Sequence, residues 1–163
     1  MPAVSPDKAR NRIVELLSDT VYQALALKES LEDERKALET EDMAAIERAV
    51  EIKSACVEKL KDLDQKRDTL CKSWGFTAGP DQMQDVIDYC DDADLIKDRW
   101  NELMVIAAES SAINLTNGAI IRIRQQQFES SLSLLRGRTP RIDTYGQHGN
   151  GSGDFKSQSL AQA

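Results

Sequence analysis

The chain has 163 residues, of which 40% are hydrophobic, 30% charged and 5% aromatic, and it carries a formal charge of −7. That length suits one domain; its apolar content is too high for wholesale disorder, and its rings are too few for a core built on them. A single histidine, His148, excludes any site that needs two imidazoles, and an acidic balance without a basic patch argues against nucleic acid as a partner.

Met1 to Asn11 has no apolar core and reads as a polar lead-in, with no signal peptide. No proline falls between Asp7 and Gly79 or between Asp81 and Thr139, so long helices can fill both stretches. Residues 7–39 form the first. Leu17, Ala24, Leu31 and Leu38 recur at sevens, and Ile13, Thr20, Leu27 and Glu34 make the second row of the seam. Such a helix would be roughly 50 Å long. Thr40 is the expected cap of the second helix, with Glu41 and Asp42 in its first turn. From Met43 to Trp74 the rows are Ile46, Lys53, Leu60, Arg67, Trp74 and Val50, Val57, Leu63, Leu70. Lys53 and Arg67 interrupt an apolar seam, either as snorkelling stems or as partners of carboxylates on a neighbouring helix.

Gly75 ends this helix, and Phe76 to Pro80 is a turn. A short helix is expected over Gln82–Cys90, with Asp81 as cap and Met83, Val86 and Ile87 on one face, before Asp91 or Asp92 restarts the chain. A third long helix runs from Ala93 to about Arg136. Its stripe is Leu95 or Ile96, Trp100, Leu103, Ala107, then Ser110, Asn114 and Asn117, then Ile121, Phe128, Leu132 and Leu135. The middle of the stripe is polar and holds Gly118, where an interior glycine costs ~1 kcal/mol against alanine. Either a partner packs closely there, or the helix bends or is meant to be weak. Five of the eight glycines lie from Gly137 onward, in a Gly/Ser/Gln-rich stretch that cannot bury enough apolar surface to order itself. The expected architecture is therefore all-α: an elongated antiparallel bundle or coiled coil of three long helices and one short one over residues 1–136, then a flexible tail over 137–163.

The chain offers little catalytic chemistry. Cys56, Cys71 and Cys90 are odd in number and widely spaced, which points to apolar fillers in a reducing cytoplasm rather than zinc ligands or disulfides. From residue 75 to 99, seven aspartates face only Lys97 and Arg99. The run lacks the glycine and glutamate of a calcium loop and reads as a solvated acidic face or a contact for a basic partner. No phosphate-binding loop or nucleophile elbow is present, so neither a cofactor, a metal nor an enzymatic activity is expected. No run approaches the ~20 apolar residues of a membrane span, so stable membrane insertion is not expected either. What remains is a surface for other helices, with Leu132, Leu134 and Leu135 under-buried near the end of the third.

Several segments resemble one family. The second helix has the order Lys53, Leu60, Leu63, Arg67, Leu70, followed by Trp74-Gly75-Phe76. The third has Trp100-Asn101-Glu102-Leu103, then Asn114-Leu115-Thr116-Asn117-Gly118, and ends Leu132-Ser133-Leu134-Leu135-Arg136-Gly137. Thr144-Tyr145-Gly146-Gln147-His148-Gly149 is similar to a Tyr-Gly-x-x-Gly signature. In this order the segments resemble the FlgN-type flagellar export chaperones. The extension after Gly149 and the aspartates at 81–94 depart from that pattern. The resemblance implies a cytoplasmic chaperone of flagellar type III secretion that binds the C-terminal helices of the hook–filament junction proteins, FlgK and FlgL, and delivers them to the export apparatus. It implies cargo contacts at Asn114, Asn117, Ile121, Phe128, Leu132, Leu134 and Leu135. It also implies docking to the export gate through Tyr145, Gly146 and Gly149. Self-association as a homodimer stays open, as does the alternative of a coiled-coil adaptor unrelated to secretion.

Overall fold

Both proline-free stretches are helical in the computed structural model, which describes residues 2–137. The elements are α1 (Pro6–Thr40), α2 (Met43–Ser73), α3 (Gln82–Cys90) and α4 (Leu95–Leu135), with no strand among the described residues. They fall into two compact units, Met1–Gln126 and Gln127–Ala163. The first contains α1 to α3 and α4 as far as Gln126; the second begins with the remaining turns of α4. The expected tail, including Tyr145, Gly146, His148 and Gly149, lies outside the described residues.

Chain punctuation sets the helix ends. Pro6 occupies the first helical position of α1, where its missing N–H costs nothing, and Asp7 adds a favourable charge to that turn. The α1–α2 reversal uses only Glu41 and Asp42. Glu41 is left-handed (φ 58), and Asp42 donates its backbone N–H to the Ala37 carbonyl at 3.1 Å. The same Asp42 caps α2 by accepting from the Ala45 N–H at 3.0 Å. The cap expected at Thr40 therefore moves two residues on, because Thr40 still belongs to α1 and its hydroxyl donates to the Lys36 carbonyl at 3.0 Å. At the other end of α2, Gly75 (φ +97) donates to Lys72 at 3.0 Å and Phe76 to Cys71 at 3.1 Å, a Schellman closure.

The α1 seam follows the predicted rows. Ile13, Leu17, Ala24, Leu31, Glu34 and Leu38 are buried, while Thr20 and Leu27 are half-buried. On α2 one row shifts by a residue. Ala49 and Cys56 are buried, whereas Val50 is 39% exposed and Val57 half-buried. Counting apolarity favours valine, but small residues at the contact let two helix backbones come close. The three cysteines are all free and buried, as fillers.

The main apolar cluster draws on the first half of α1, the last turn of α2, α3 and the start of α4, through residues such as Ile13, Leu17, Cys71, Val86 and Ile96. Aromatic rings lie at its margin; Phe76 meets Tyr89 edge-on at 5.7 Å between centroids. Within α3, Met83 and Val86 are buried and Ile87 half-buried. Asp81 precedes α3 but makes no side-chain cap bond, because its backbone is already helical (φ −89, ψ −4). Asp91 does the equivalent work for α4, accepting from the Ile96 N–H at 3.1 Å and the Lys97 N–H at 2.9 Å.

Helix α4 runs unbroken through Gly118. Its buried row is Ile96, Leu103, Ile106, Ser110 and Asn117; Leu95 and Ala107 are exposed, so Ile106 takes the place expected of Ala107. By length and composition α4 could cross a membrane, which corrects the expectation that no segment qualifies. Counting consecutive apolar residues misses it, because Ser, Thr and Asn interrupt the run while Glu109 is its sole charge between Glu102 and Arg122.

Candidate functional site

The most specific arrangement in the first unit is polar and buried. Glu34 on α1 is 1% exposed and accepts two hydrogen bonds, from Lys53 Nζ on α2 at 2.8 Å and from Asn117 Nδ2 on α4 at 2.9 Å. Asn117 Nδ2 also donates to the Leu31 carbonyl at 2.9 Å, and its Oδ1 accepts from Arg35 Nε at 3.4 Å. Three helices are thus joined at one carboxylate. Charged and amide groups at a helix seam are satisfied in one register only, so the node fixes α4 against the α1–α2 hairpin at the expense of apolar burial. Between the two readings of Lys53, the structure shows the ion pair with a neighbouring helix. Arg67 behaves differently: it pairs with Asp64 of its own helix at 2.7 Å and stacks over the Trp100 ring on α4 at 5.0 Å.

A groove of about 510 Å³ opens between these two polar contacts, lined by α1, α2 and α4 through residues such as Ala24, Leu27, Leu60, Leu103 and Ala107. Ser110 also lines it; this residue is 6% exposed, and its buried hydroxyl has no hydrogen-bond partner. Farther along, Lys28 donates to Glu109 at 2.6 Å, which holds the lysine above its ordinary range and ties α1 to α4 again.

The residues singled out from the sequence do not share one environment. In the first unit, Asn114 is exposed and lines the groove, Ile121 is half-buried, and Asn117 turns inward to the Glu34 node. In the second unit, Phe128 is 66% exposed, Leu134 63% and Leu135 84%, with Leu132 half-buried. Sequence reasoning missed Glu34 as the hub, although a carboxylate inside a heptad row was the available signal.

Reactive chemistry is not assembled among the described residues. No group of three or more His, Cys, Asp or Glu side chains among the described residues could hold a metal ion. Burial raises the Cys71 thiol and, with Asp91 adding to it, pushes Cys90 up to about 11, so both are poor nucleophiles at neutral pH. The aspartate run is partly spent locally, on the α4 N-terminus by Asp91 and on Arg10 by Asp92.

A fold whose elements among the described residues are all helices, with a polar, registry-setting node and bare leucines near the end of α4, has the form of a helix-binding protein. The model of the family described as FlgN protein matches residues 1–153. The chain belongs to the FlgN family. FlgN proteins are flagellar export chaperones, which places this chain in type III export and flagellar assembly, with flagellar proteins as its partners. No curated protein and no solved structure matches the chain.

Proposed function

We propose that this FlgN chain works in the cytoplasm on the junction proteins FlgK and FlgL. It would hold their C-terminal helical segments, keep them from assembling early and deliver them to the export apparatus. The observation that carries this reading is the bare leucine and phenylalanine surface of the last turns of α4. Phe128, Leu132 and Leu135 follow an i, i+4, i+7 pattern, and no charge lies between Glu129 and Arg136. In the first unit, Asn114 and Ile121 supply further contacts, while Asn117 sets the register of the helix that carries them.

The physical task is masking. A cargo helix made to coil with sister subunits has an apolar stripe that needs cover until secretion. A chaperone helix with leucine anchors separated by serines supplies that cover without closing the interface so tightly that release fails. Tyr145, Gly146 and Gly149 are assigned to docking at the export gate, on the strength of the family resemblance alone.

Changing Leu132 and Leu135 together to Asp should weaken binding of a FlgK or FlgL C-terminal fragment by about 100-fold or more, read by calorimetry. Far-ultraviolet circular dichroism should not change, because Leu135 is exposed and Leu132 only half-buried. Undiminished binding in the folded double variant would falsify the cargo assignment. Removing residues 138–163 should leave fragment binding intact and reduce secretion of the junction proteins. Normal secretion by the truncated chain removes the docking role from Tyr145.

A further inference from the structure

The groove between α1, α2 and α4 is a slot bridged at both ends. Arg67 of α2, stacked over Trp100 of α4, closes one end, and the node of Glu34, Lys53 and Asn117 closes the other. Its lining runs over 20–31, 53–64 and 103–114, which at the helical rise is a length of ~16 Å. A volume of about 510 Å³ spread over that length leaves a section of roughly 30 Å², well under half of what a helix about 10 Å across requires. One extended chain fits such a slot, and a helix does not. The walls are largely aliphatic, through Leu27, Leu31, Val57, Leu60, Leu103 and Ala107. Both charged residues at the slot are already matched, Lys53 by Glu34 at 2.8 Å and Asp64 by Arg67 at 2.7 Å. Ser110 is a separate observation. Hydroxyls within a helix commonly bond back to the carbonyl one turn earlier, and Ser18, Thr20 and Thr116 do so at 2.8, 2.8 and 3.0 Å. Ser110 is 6% exposed, yet its hydroxyl makes no such bond and has no other partner among the described residues. A buried hydroxyl left unmatched costs stability, and a ligand that pairs with it recovers that cost.

We propose that this slot binds an uncharged single-chain amphiphile, its hydroxyl or amide head paired with the Ser110 hydroxyl and its alkyl chain running toward Leu60 and Leu103. The volume lies within the range of small-molecule sites. The direction follows from the lining: Lys53 and Asn114 make the Ser110 end polar, and leucines line the other. Ser110 and Leu103 are ~10 Å apart along α4, the length of about eight carbons in an extended chain. Charge excludes ionised heads. A carboxylate or ammonium would lose its water and find every opposite charge at the slot already engaged. A bound chain touches α1, α2 and α4 at once, so it holds α4 against the hairpin. Cargo anchoring at Phe128, Leu132 and Leu135 does not depend on it.

The test is calorimetric titration of the full chain with straight-chain alcohols. Affinity should rise about fourfold per methylene from 1-hexanol to 1-octanol, and by clearly less from 1-octanol to 1-decanol, whose added carbons meet the Arg67–Trp100 bridge. Octanoate and octylammonium should bind at least about tenfold more weakly than 1-octanol. Ala107→Phe, at an exposed position on the slot wall, should weaken 1-octanol binding at least about tenfold without changing circular dichroism. Ser110→Ala should weaken 1-octanol about fivefold and leave 1-chlorooctane, which has no hydroxyl, unchanged. Absence of saturable 1-octanol binding overturns the proposal, as does binding that Ala107→Phe leaves intact. Equal affinity for octanoate overturns the uncharged head, and an unaltered Ser110→Ala overturns its placement. If the parent chain binds no alcohol while Ala107→Phe abolishes binding of a FlgK or FlgL fragment, the slot belongs to a protein side chain and the small-molecule site is overturned.

Discussion

At Glu34, a charged side chain stands where a heptad would have leucine, and its surroundings explain why the chain tolerates it. The carboxylate has lost its water and depends on Lys53 Nζ at 2.8 Å and Asn117 Nδ2 at 2.9 Å. Removing one partner of such a pair leaves a charge both buried and under-satisfied, whereas removing both restores an ordinary seam. Lys53→Met, which keeps the stem, should therefore destabilise the protein by about 2–4 kcal/mol. The double variant Glu34→Gln/Lys53→Met should lose clearly less, as read from urea midpoints. A loss below about 0.5 kcal/mol in Lys53→Met would rank the pair with exposed ion pairs and remove its registry role. Part of this node is legible in the sequence: Lys53, Glu34 and Asn117 all stand out as polar residues on apolar rows. Which way Asn117 points is not, because a 3.6-residue helix drifts against a seven-residue count, and a stripe read by eye admits both flanks.

Helix boundaries show the same division between what local chemistry dictates and what packing decides. Gly75 and Gly137 end helices by supplying a left-handed residue, as their positions predict. Between α1 and α2 the chain offers no glycine, and Glu41 takes the left-handed conformation instead, at φ 58. That is why the expected cap falls two residues early: Thr40 is the better cap by type, but Glu41 and Asp42 complete the reversal. On α2, Ala49 and Cys56 displace the valines from the seam because interhelix distance, a tertiary quantity, selects for size. A strained non-glycine turn makes a direct prediction. Glu41→Gly should raise stability by about 0.5–1 kcal/mol, the relief of strain exceeding the added freedom of the unfolded chain. Its ion pair with Arg124, at 3.6 Å and mostly exposed, offsets little of this. Thermal melts of the two proteins decide it, and a lower melting temperature for the glycine variant would show that the turn is not strained.

For the molecule as a whole, the pH dependence of stability should be set on the alkaline side by thiols in the apolar cluster. Cys90 is 4% exposed and held at about 11, and Cys71 is raised by burial in the same cluster. In the unfolded chain both thiols ionise near their ordinary value, about 9. Above that pH the unfolded state holds fewer protons than the folded one, so stability falls as pH rises. The contribution is complete below about pH 9 and is lost progressively toward pH 11, amounting for Cys90 to about 3 kcal/mol. On the acid side, the Lys72 hydrogen bond holds Asp68 below its ordinary range, so that its contribution is present above the unfolded carboxylate pKa and fades as pH falls through the folded one. That side chain is partly in water and its effect is small. Lysines and tyrosines also lose protons in the alkaline range, so the comparison that isolates the thiol is with Cys90→Ala. The variant should be less stable at neutral pH, having lost a buried atom, yet its urea midpoint should fall less steeply between about pH 8 and 10.5. Equal alkaline slopes in the two proteins would mean that Cys90 ionises in the folded state as readily as in the unfolded one, and that the cluster around it admits water.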